Sequence, residues 1–505
     1  MNYPWHTRLL LALASGAALA ISFPNYNVSP LAWISVGLLL VASYGARPAV
    51  APLYGFVHSL VFYPICLAWI EVVVHEYGAV PPPIAAGLVL LIAILFGTLS
   101  AVFSWGVALA SPQGPALACG LAPFLWVALE FARTHVPIIG FPWNLAGYAA
   151  SGNLALVQLT AITGIYGLSF VVAGFGALVA YAMLVRSQRA WRAVLVSLAV
   201  LILVAAGGVY FVPQAQARYT AHLVQTNFPQ SYAYPADWMP RHAAELDALE
   251  RISIDSATKI PGIIIWPEVP APFSLSDPLF AERAGQIAQG AGQDFLVGVE
   301  DWRQDSTGKW DATNSAVLLA ASGGRLFTYD KVHLVPFGEY VPLRRWLTFA
   351  GRLTADLGDF TAGTRYQVGS LPGGRFGAFI CYEAIFPDEV RRFTAGGAEL
   401  LVNMTNDGWF GRSAAPAQHL MMARVRAVEN RRWLLRDTNN GFTVAVDPYG
   451  RTVAQLATDI RDQLDAPYDF RSDWTFYVRF GDWFAWLCVA VSALLLILVG
   501  ARRLQ

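Results

Sequence analysis

Eight apolar runs, near residues 7–24, 30–46, 50–74, 83–110, 114–133, 154–185, 193–213 and 482–501, dominate the chain. A helix needs about 20 such residues to cross a hydrocarbon layer about 30 Å thick. The chain is therefore expected to carry eight transmembrane helices. At 505 residues, with 56% hydrophobic and 13% charged side chains, it is too apolar for a wholly soluble protein and too long for one compact domain. Lys plus Arg and Asp plus Glu balance at 34 each, which argues against nucleic acid or a polybasic membrane patch as partner.

Between the seventh and eighth runs the pattern changes. Short β-branched stretches such as "GIIIWPE" and "ELLVNMTND" alternate with amphipathic stretches such as "AAELDALERI", the signature of an α/β domain. The expected division is 1–217 for seven membrane helices, 218–475 for the α/β domain and 476–505 for the last helix. Candidate strands are "AHLVQTN", "GIIIWPE", "DFLVGVE", "SAVLLAA", "FGAFICYE", "LLVNMTND", "WLLRDTN" and "TVAVDP". Mostly apolar strands suit a sheet covered on both faces, where functional groups collect beyond strand ends. Glu268, Cys381 and Asn406 occupy such ends. No internal repeat of fixed period is evident.

Lys and Arg beside short loops favour the cytoplasm. With eight helices counted, Arg8, Arg47, the cluster Arg186, Arg189 and Arg192, and the tail pair Arg502 and Arg503 fall on one side, with Arg133 the exception on the other. Both termini are thus expected in the cytoplasm and the α/β domain in a periplasm-like compartment. The first run ends in no clear A-x-A-like cleavage site, so it reads as a retained anchor rather than a signal peptide.

Four cysteines show neither CxxC spacing nor a disulfide framework, and three of them, Cys66, Cys119 and Cys488, lie in apolar runs; no metal is expected. Cys381 is the fourth. A thiol in apolar surroundings needs a base or a cation nearby to react, and Glu268 and Lys331 are candidates for those two tasks. The backbone N–H of Tyr382 is the natural second donor to an oxyanion. Each group also has a plain structural reading: Cys381 as core, Glu268 as a loop carboxylate, Lys331 as half of a surface pair. Spacing and periodicity alone leave both readings open.

The segments "WPE", "DKVHLVPFGEYVP" and "ICYE" resemble the Glu-Lys-Cys triad of the nitrilase superfamily, over about 218–470. Together with "NDGWFG" and the eight helices, they resemble the apolipoprotein N-acyltransferase family. The resemblance implies an αββα sandwich on a membrane bundle, with Glu268 as general base, Lys331 as oxyanion-stabilising cation and Cys381 as nucleophile. Glu339, Tyr382 and Glu383 match supporting positions, each with a structural alternative. The family places a gating tryptophan soon after "PQS"; here Tyr234, with Trp238 slightly later, stands nearest, and the gating aromatic is one of these. Asn406, Asp407 and Trp409 either line the site or form a turn that satisfies its own backbone. His333 and His419 read as structural.

The resemblance further implies acyl transfer by a ping-pong route at a bacterial inner membrane. A glycerophospholipid is the donor, the α-amine of an apolipoprotein's N-terminal diacylglyceryl-cysteine is the acceptor, and the enzyme is expected to be monomeric, without a cofactor. Burial of each CH₂ at about 0.8 kcal/mol gives such an enzyme a reason to sit in the bilayer. The rival readings are a membrane-tethered nitrilase-like amidase or hydrolase, and a transporter or lipid scaffold.

Overall fold

The computed structural model describes residues 3–78, 80–136, 140–231, 234–304, 308, 310–340 and 360–504. Val341 and Pro342, which close the "FGEYVP" motif, lie outside the described residues, as do 137–139 and 232–233 of two other segments discussed above.

The N-terminal region is a helical bundle: α1 (Trp5–Ile21), α2 (Ala32–Ser43), α3 (Ala51–Cys66), α4 (Ala68–Glu76), α5 (Pro82–Ala110), α6 (Pro115–His135), α7 (Ile165–Val185) and α8 (Gln188–Phe211). Five helices among the described residues are long and apolar enough to cross a membrane: Pro82–Gln113, Pro115–His135, Ile165–Val185, Gln188–Phe211 and Trp483–Arg502. The third expected run is a bent pair, α3 and α4 meeting at 51°. Pro64 inside α3 removes a helical N–H just before the break. The first two runs form the shorter apolar helices α1 and α2. The run expected over 154–185 is not one helix either, because Gly164, at φ +64°, separates a short turn of helix from α7. Close packing holds the bundle together. A Cβ on Gly37 of α2 would collide with the Gly176 carbonyl of α7, and small residues are what let membrane helices approach at this distance.

Twelve strands follow: β1 (Tyr219–Gln225), β2 (Ile263–Ile265), β3 (Phe295–Gln304), β4 (Trp310–Leu319), β5 (Arg325–Asp330), β6 (Val368–Leu371), β7 (Gly374–Ile380), β8 (Leu400–Thr405), β9 (Trp433–Thr438), β10 (Val444–Val446), β11 (Thr452–Gln455) and β12 (Asp462–Tyr468). They form two six-stranded sheets, ordered β12-β1-β2-β3-β4-β5 and β11-β10-β9-β8-β7-β6. Period-2 alternation assigns the faces of the first sheet. Ala221, Leu223, Ile263 and Ile265 pack toward the second sheet with Leu401 and Leu434. Val224, Ile264, Val297 and Val317 pack outward under α9 (Ala243–Lys259) and α10 (Pro278–Ala291). The second sheet is covered by α11 (Pro387–Ala395) and α12 (Ala415–Asn430), through Val390, Phe393, Ala423 and Ala427. The layers therefore run helix, sheet, sheet, helix.

The outer face of α12 is not solvated. Met422, Val425 and Val428 join the core of the bundle. Polar bonds fix the docking: Gln418 accepts from Trp143 Nε1 at 2.6 Å and donates to the Pro24 carbonyl at 2.8 Å, and Arg426 donates to the Tyr148 hydroxyl at 2.7 Å. The last helix, α13 (Trp483–Leu504), returns to the bundle beside α6.

Candidate active site

Glu268 lies three residues beyond β2, whose three isoleucines are all buried. Trp266 just before it is fully buried and donates to Ser253 Oγ at 3.0 Å, so the chain leaves the sheet on a fixed heading. Val269 then adopts φ +23°, a conformation strained for a β-branched residue. A Cβ on Gly298 of β3 would collide with the Pro267 carbonyl oxygen and lie 2.8 Å from Glu268 Cα. Glycine there lets the Glu268 turn press against the sheet.

Lys331 follows β5 directly and is 1% exposed. Its ammonium lies 3.0 Å from Glu268 Oε1 and 2.9 Å from Glu339 Oε1. Burial opposes the charge, but Glu268 and Glu339 together hold the Lys331 ammonium well above its ordinary value. Glu339 is fixed by its own loop, since its Oε2 accepts from Val335 N at 2.8 Å. Glu268 Oε2 accepts from Asn406 N at 2.9 Å, a donor from the other sheet.

Cys381 comes immediately after β7, at the head of the 3-10 turn Cys381–Ile385, with φ +48°. A left-handed cysteine is uncommon and marks stored strain. Two buried bonds flank it. Ile380 N donates to Glu383 Oε2 at 2.7 Å, and the Cys381 carbonyl sits 3.0 Å from His419 Nε2. Burial raises the Cys381 thiol well above its usual range, the Glu268 carboxylate raises it further, and Lys331 with a hydrogen bond to Thr405 pulls the other way. The resting sulfur is thus a neutral thiol whose nearest charges are one carboxylate and one ammonium. Such a group reacts only when the carboxylate takes its proton as the bond forms.

Glu383 is a brace more than a reactant. Its Oε1 accepts from Tyr329 Oη at 2.6 Å, Val332 N at 2.8 Å and His333 N at 3.1 Å, tying the Lys331 loop to the Cys381 turn. Burial pushes Glu383 up to about 7, against the pull of its donors. Tyr382 is buried and packs with the bundle core, its ring edge-on to Phe386 and His333. Tyr234 is half-buried, and Trp238 is 6% exposed, stacked on His242 at 4.2 Å and packed in the core under the first sheet. Asn406 faces the site through its N–H and also caps its own turn, its Oδ1 accepting from Gly408 N at 3.3 Å.

Three site residues escape a linear reading. Asn314, mid-strand in β4, donates from Nδ2 to Glu268 Oε1 and to Glu339 Oε1, each at 2.8 Å. His419 and Arg436 form a fully buried cluster with Asp407, in which Arg436 Nη2 lies 2.8 Å from Asp407 Oδ2 and His419 Nδ1 lies 3.0 Å from Asp407 Oδ1. Against the cost of burial, Arg436 and His419 hold Asp407 below the usual carboxylate range. The sequence carried no signal for Asn314, since it stands in the polar run Thr313–Asn314–Ser315 just before the apolar stretch expected as a strand. Among the described residues no group of three or more His, Cys, Asp or Glu side chains converges to hold a metal.

Comparison with known proteins adds two family matches, the apolipoprotein N-acyltransferase N-terminal domain over residues 15–178 and carbon-nitrogen hydrolase over 262–470. Among curated proteins, the chain is 36% identical to an apolipoprotein N-acyltransferase of Geobacter metallireducens, covering 98% of this chain and 95% of the relative. It is 32% identical to one of Pseudomonas aeruginosa, covering 90% and 88%. Among solved structures, an amidase from Nesterenkonia sp. aligns at 20% identity and TM-score 0.38, covering 53% of this chain and 95% of that chain. Nit3 of Saccharomyces cerevisiae, a nitrilase-superfamily member, aligns at 18% identity and TM-score 0.38, covering 50% and 91%.

Proposed function

The chain belongs to the apolipoprotein N-acyltransferase family, with identity to its members spread over nearly its whole length, and from that premise we propose that it transfers acyl groups in two steps through Cys381. It is an N-acyltransferase that moves a fatty acyl chain from a phospholipid to the N-terminal amine of a lipoprotein. The observation that carries the residue assignment is the meeting of Glu268, Lys331 and Cys381, from three separate segments, at one buried point.

In the first step Glu268 takes the thiol proton as the sulfur attacks the ester carbonyl of a glycerophospholipid. The oxyanion is stabilised by the Lys331 ammonium and the Tyr382 N–H. The carbon–oxygen bond then breaks, Glu268 returns the proton to the departing lysophospholipid oxygen, and a thioester remains on Cys381. In the second step the neutral α-amine of a diacylglyceryl-cysteine attacks that thioester. Glu268 accepts the amine proton, the carbon–sulfur bond breaks, and the proton passes to the sulfur to restore the thiol. Glu339 holds the charge of Lys331 in place, and Tyr382 and Glu383 shape the turn that carries the sulfur. Of the two candidate gating aromatics, Tyr234 suits the role better, since Trp238 is wedged among His242, Phe228 and Phe273.

The packing of the Cys381 turn against the bundle supports a lipid donor, because Tyr382, Ile385 and Phe386 belong to the same apolar cluster as the membrane helices. Ester carbonyl and thiol can then meet while the tails stay in lipid, and exclusion of water favours amine over hydrolysis. The division at 1–217, 218–475 and 476–505, the full set of eight spans with α1, α2 and the bent α3–α4 pair included, cytoplasmic termini, a periplasmic catalytic domain and a monomer complete the reading.

Intact mass spectrometry tests it. With phospholipid alone the protein should gain one acyl chain, removable by hydroxylamine, and Cys381→Ala should gain none. With a diacylglyceryl-cysteine peptide added, N-acylated peptide should appear; free fatty acid as the sole product would make the enzyme a hydrolase.

A further inference from the structure

Four atoms beside the thiol form a closed ring. Glu268 Oε1 and Glu339 Oε1 each accept from two donors, Lys331 Nζ at 3.0 and 2.9 Å and Asn314 Nδ2 at 2.8 and 2.8 Å. We propose that Asn314 is a positioning residue whose amide closes this ring, so that Glu268 stands ready as a base instead of sharing a proton with Glu339. The inference rests on the reading of Glu268 and Cys381 given above.

The charge count shows why one lysine is insufficient. Two carboxylates face a single ammonium, which leaves one negative charge in excess in a buried site. Two carboxylates sharing a site favour a common proton, which raises the pKa of one of them. A shared proton would remove the acceptor that the thiol needs. The second bridge must therefore be a donor that brings no charge and carries no labile proton, and a primary amide meets both conditions. Its orientation follows from its partners, since both carboxylate oxygens only accept and the nitrogen must face them.

The other half of the amide supports a functional reason for the residue. Asn314 is 4% exposed, and its Oδ1 is buried without a hydrogen-bond partner. Leaving such an acceptor unsatisfied is destabilising, so stability alone does not select asparagine in the middle of a sheet. Its own backbone is committed to the same purpose: the Asn314 carbonyl accepts from Lys331 N at 2.9 Å, so one residue fixes both the lysine's main chain and the carboxylates it faces. The groups directed at Glu268 are Lys331 and, through Asn314, Glu339 from the β5 side, Cys381 from the 3-10 turn after β7, and the Asn406 N–H from the end of β8.

The test is the pH dependence of the first half-reaction, which avoids the ionisation of the amine acceptor. Acylation of Cys381 by a dipalmitoyl phospholipid in mixed micelles is timed by mass spectrometry for the full-length native protein, Asn314→Leu and the near-isosteric Asn314→Asp. Both variants should lose rate about tenfold or more on the acidic side and recover toward the native rate as pH rises. The acidic limb should move up by about one unit or more, with the KM for phospholipid within about twofold of native. A uniform loss with an unmoved limb, or no loss, in whichever variant melts as the native protein does would overturn the proposal. Failure of the native protein itself to acylate Cys381 would instead sink the thioester reading, so the two failures are told apart.

Discussion

The two sheets have the same plan and different contents. Read from β12, the first pairs its neighbours antiparallel, parallel, parallel, antiparallel, antiparallel; read from β6, the second shows the same series. A repeat invisible in the sequence is plain in the topology, because strand pairing constrains backbone and burial but not residue identity. What differs is the chemistry at the strand ends. The first sheet supplies Glu268, Asn314 and Lys331, and the second supplies Cys381 and the Asn406 N–H. Neither sheet alone brings a carboxylate to the Cys381 thiol. Two cross-links fix their register at the site: Asn406 N on Glu268 Oε2, and Glu383, which bonds Tyr329, Val332 and His333 on one side and Ile380 on the other.

The largest expected effect separates the two sheets outright. Glu268→Gln removes the proposed base from the first sheet and should slow Cys381 acylation by about 10²–10⁴-fold. The same change should also slow alkylation of Cys381 by iodoacetamide near neutral pH, because the buried thiol then has no carboxylate to take its proton. With burial still the leading cause, the native alkylation rate should climb through about pH 9 without a plateau. Faster alkylation in Glu268→Gln would mean that the carboxylate acts on the thiol only as a charge that raises it, not as its base.

Breaking the cross-link should cost both halves together. Glu383→Gln keeps the shape but turns an amide N–H₂ toward groups that only donate, so about 2–4 kcal/mol of stability should go, with a lower melting temperature and a slower acylation step. An unchanged melting temperature would reduce Glu383 to a bystander.

The smallest effect sharpens the second sheet alone. His419→Leu removes the bond to the Cys381 carbonyl, and with it about 1 kcal/mol that helps hold φ +48°; acylation should fall several-fold. His419→Gln, which can still donate, should recover most of that loss. Equal losses in the two variants would show that packing, not the hydrogen bond, is what matters there.

Legibility in the sequence followed physical visibility. The strand candidates built on continuous apolar runs, in β1, β2, β3, β4, β7, β8, β9 and β10, are all strands. Those without one, β5, β6, β11 and β12, were not expected: β5 is mostly exposed or half-buried, β6 has four residues, β11 is largely exposed, and β12 carries Asp462, Asp465 and Pro467. Proline and acids are tolerated there because β12 is an edge strand, with β1 as its one ladder partner. Glu268, Lys331 and Cys381 stand out chemically at the ends of apolar stretches, but that left core and site readings both open, and it was the resemblance of their motifs that singled them out. Asn314 and Arg436 were not singled out, Asp407 was left between a site role and a turn, and His419 read as structural, because a buried polar residue acquires meaning only from what it faces.

The order of apolar runs, the switch to an α/β pattern and the three chemically distinct strand ends are properties of the chain by itself, since burial preference and periodicity are local. The tertiary structure alone decided which of those runs are straight helices, that two sheets share one plan, and that Glu268, Glu339, Lys331 and Asn314 close a ring beside the thiol. Hydrogen bonds act over about 3 Å, and Glu268 and Cys381, more than a hundred residues apart in the chain, reach one another only because the two sheets are pressed together by the apolar side chains between them.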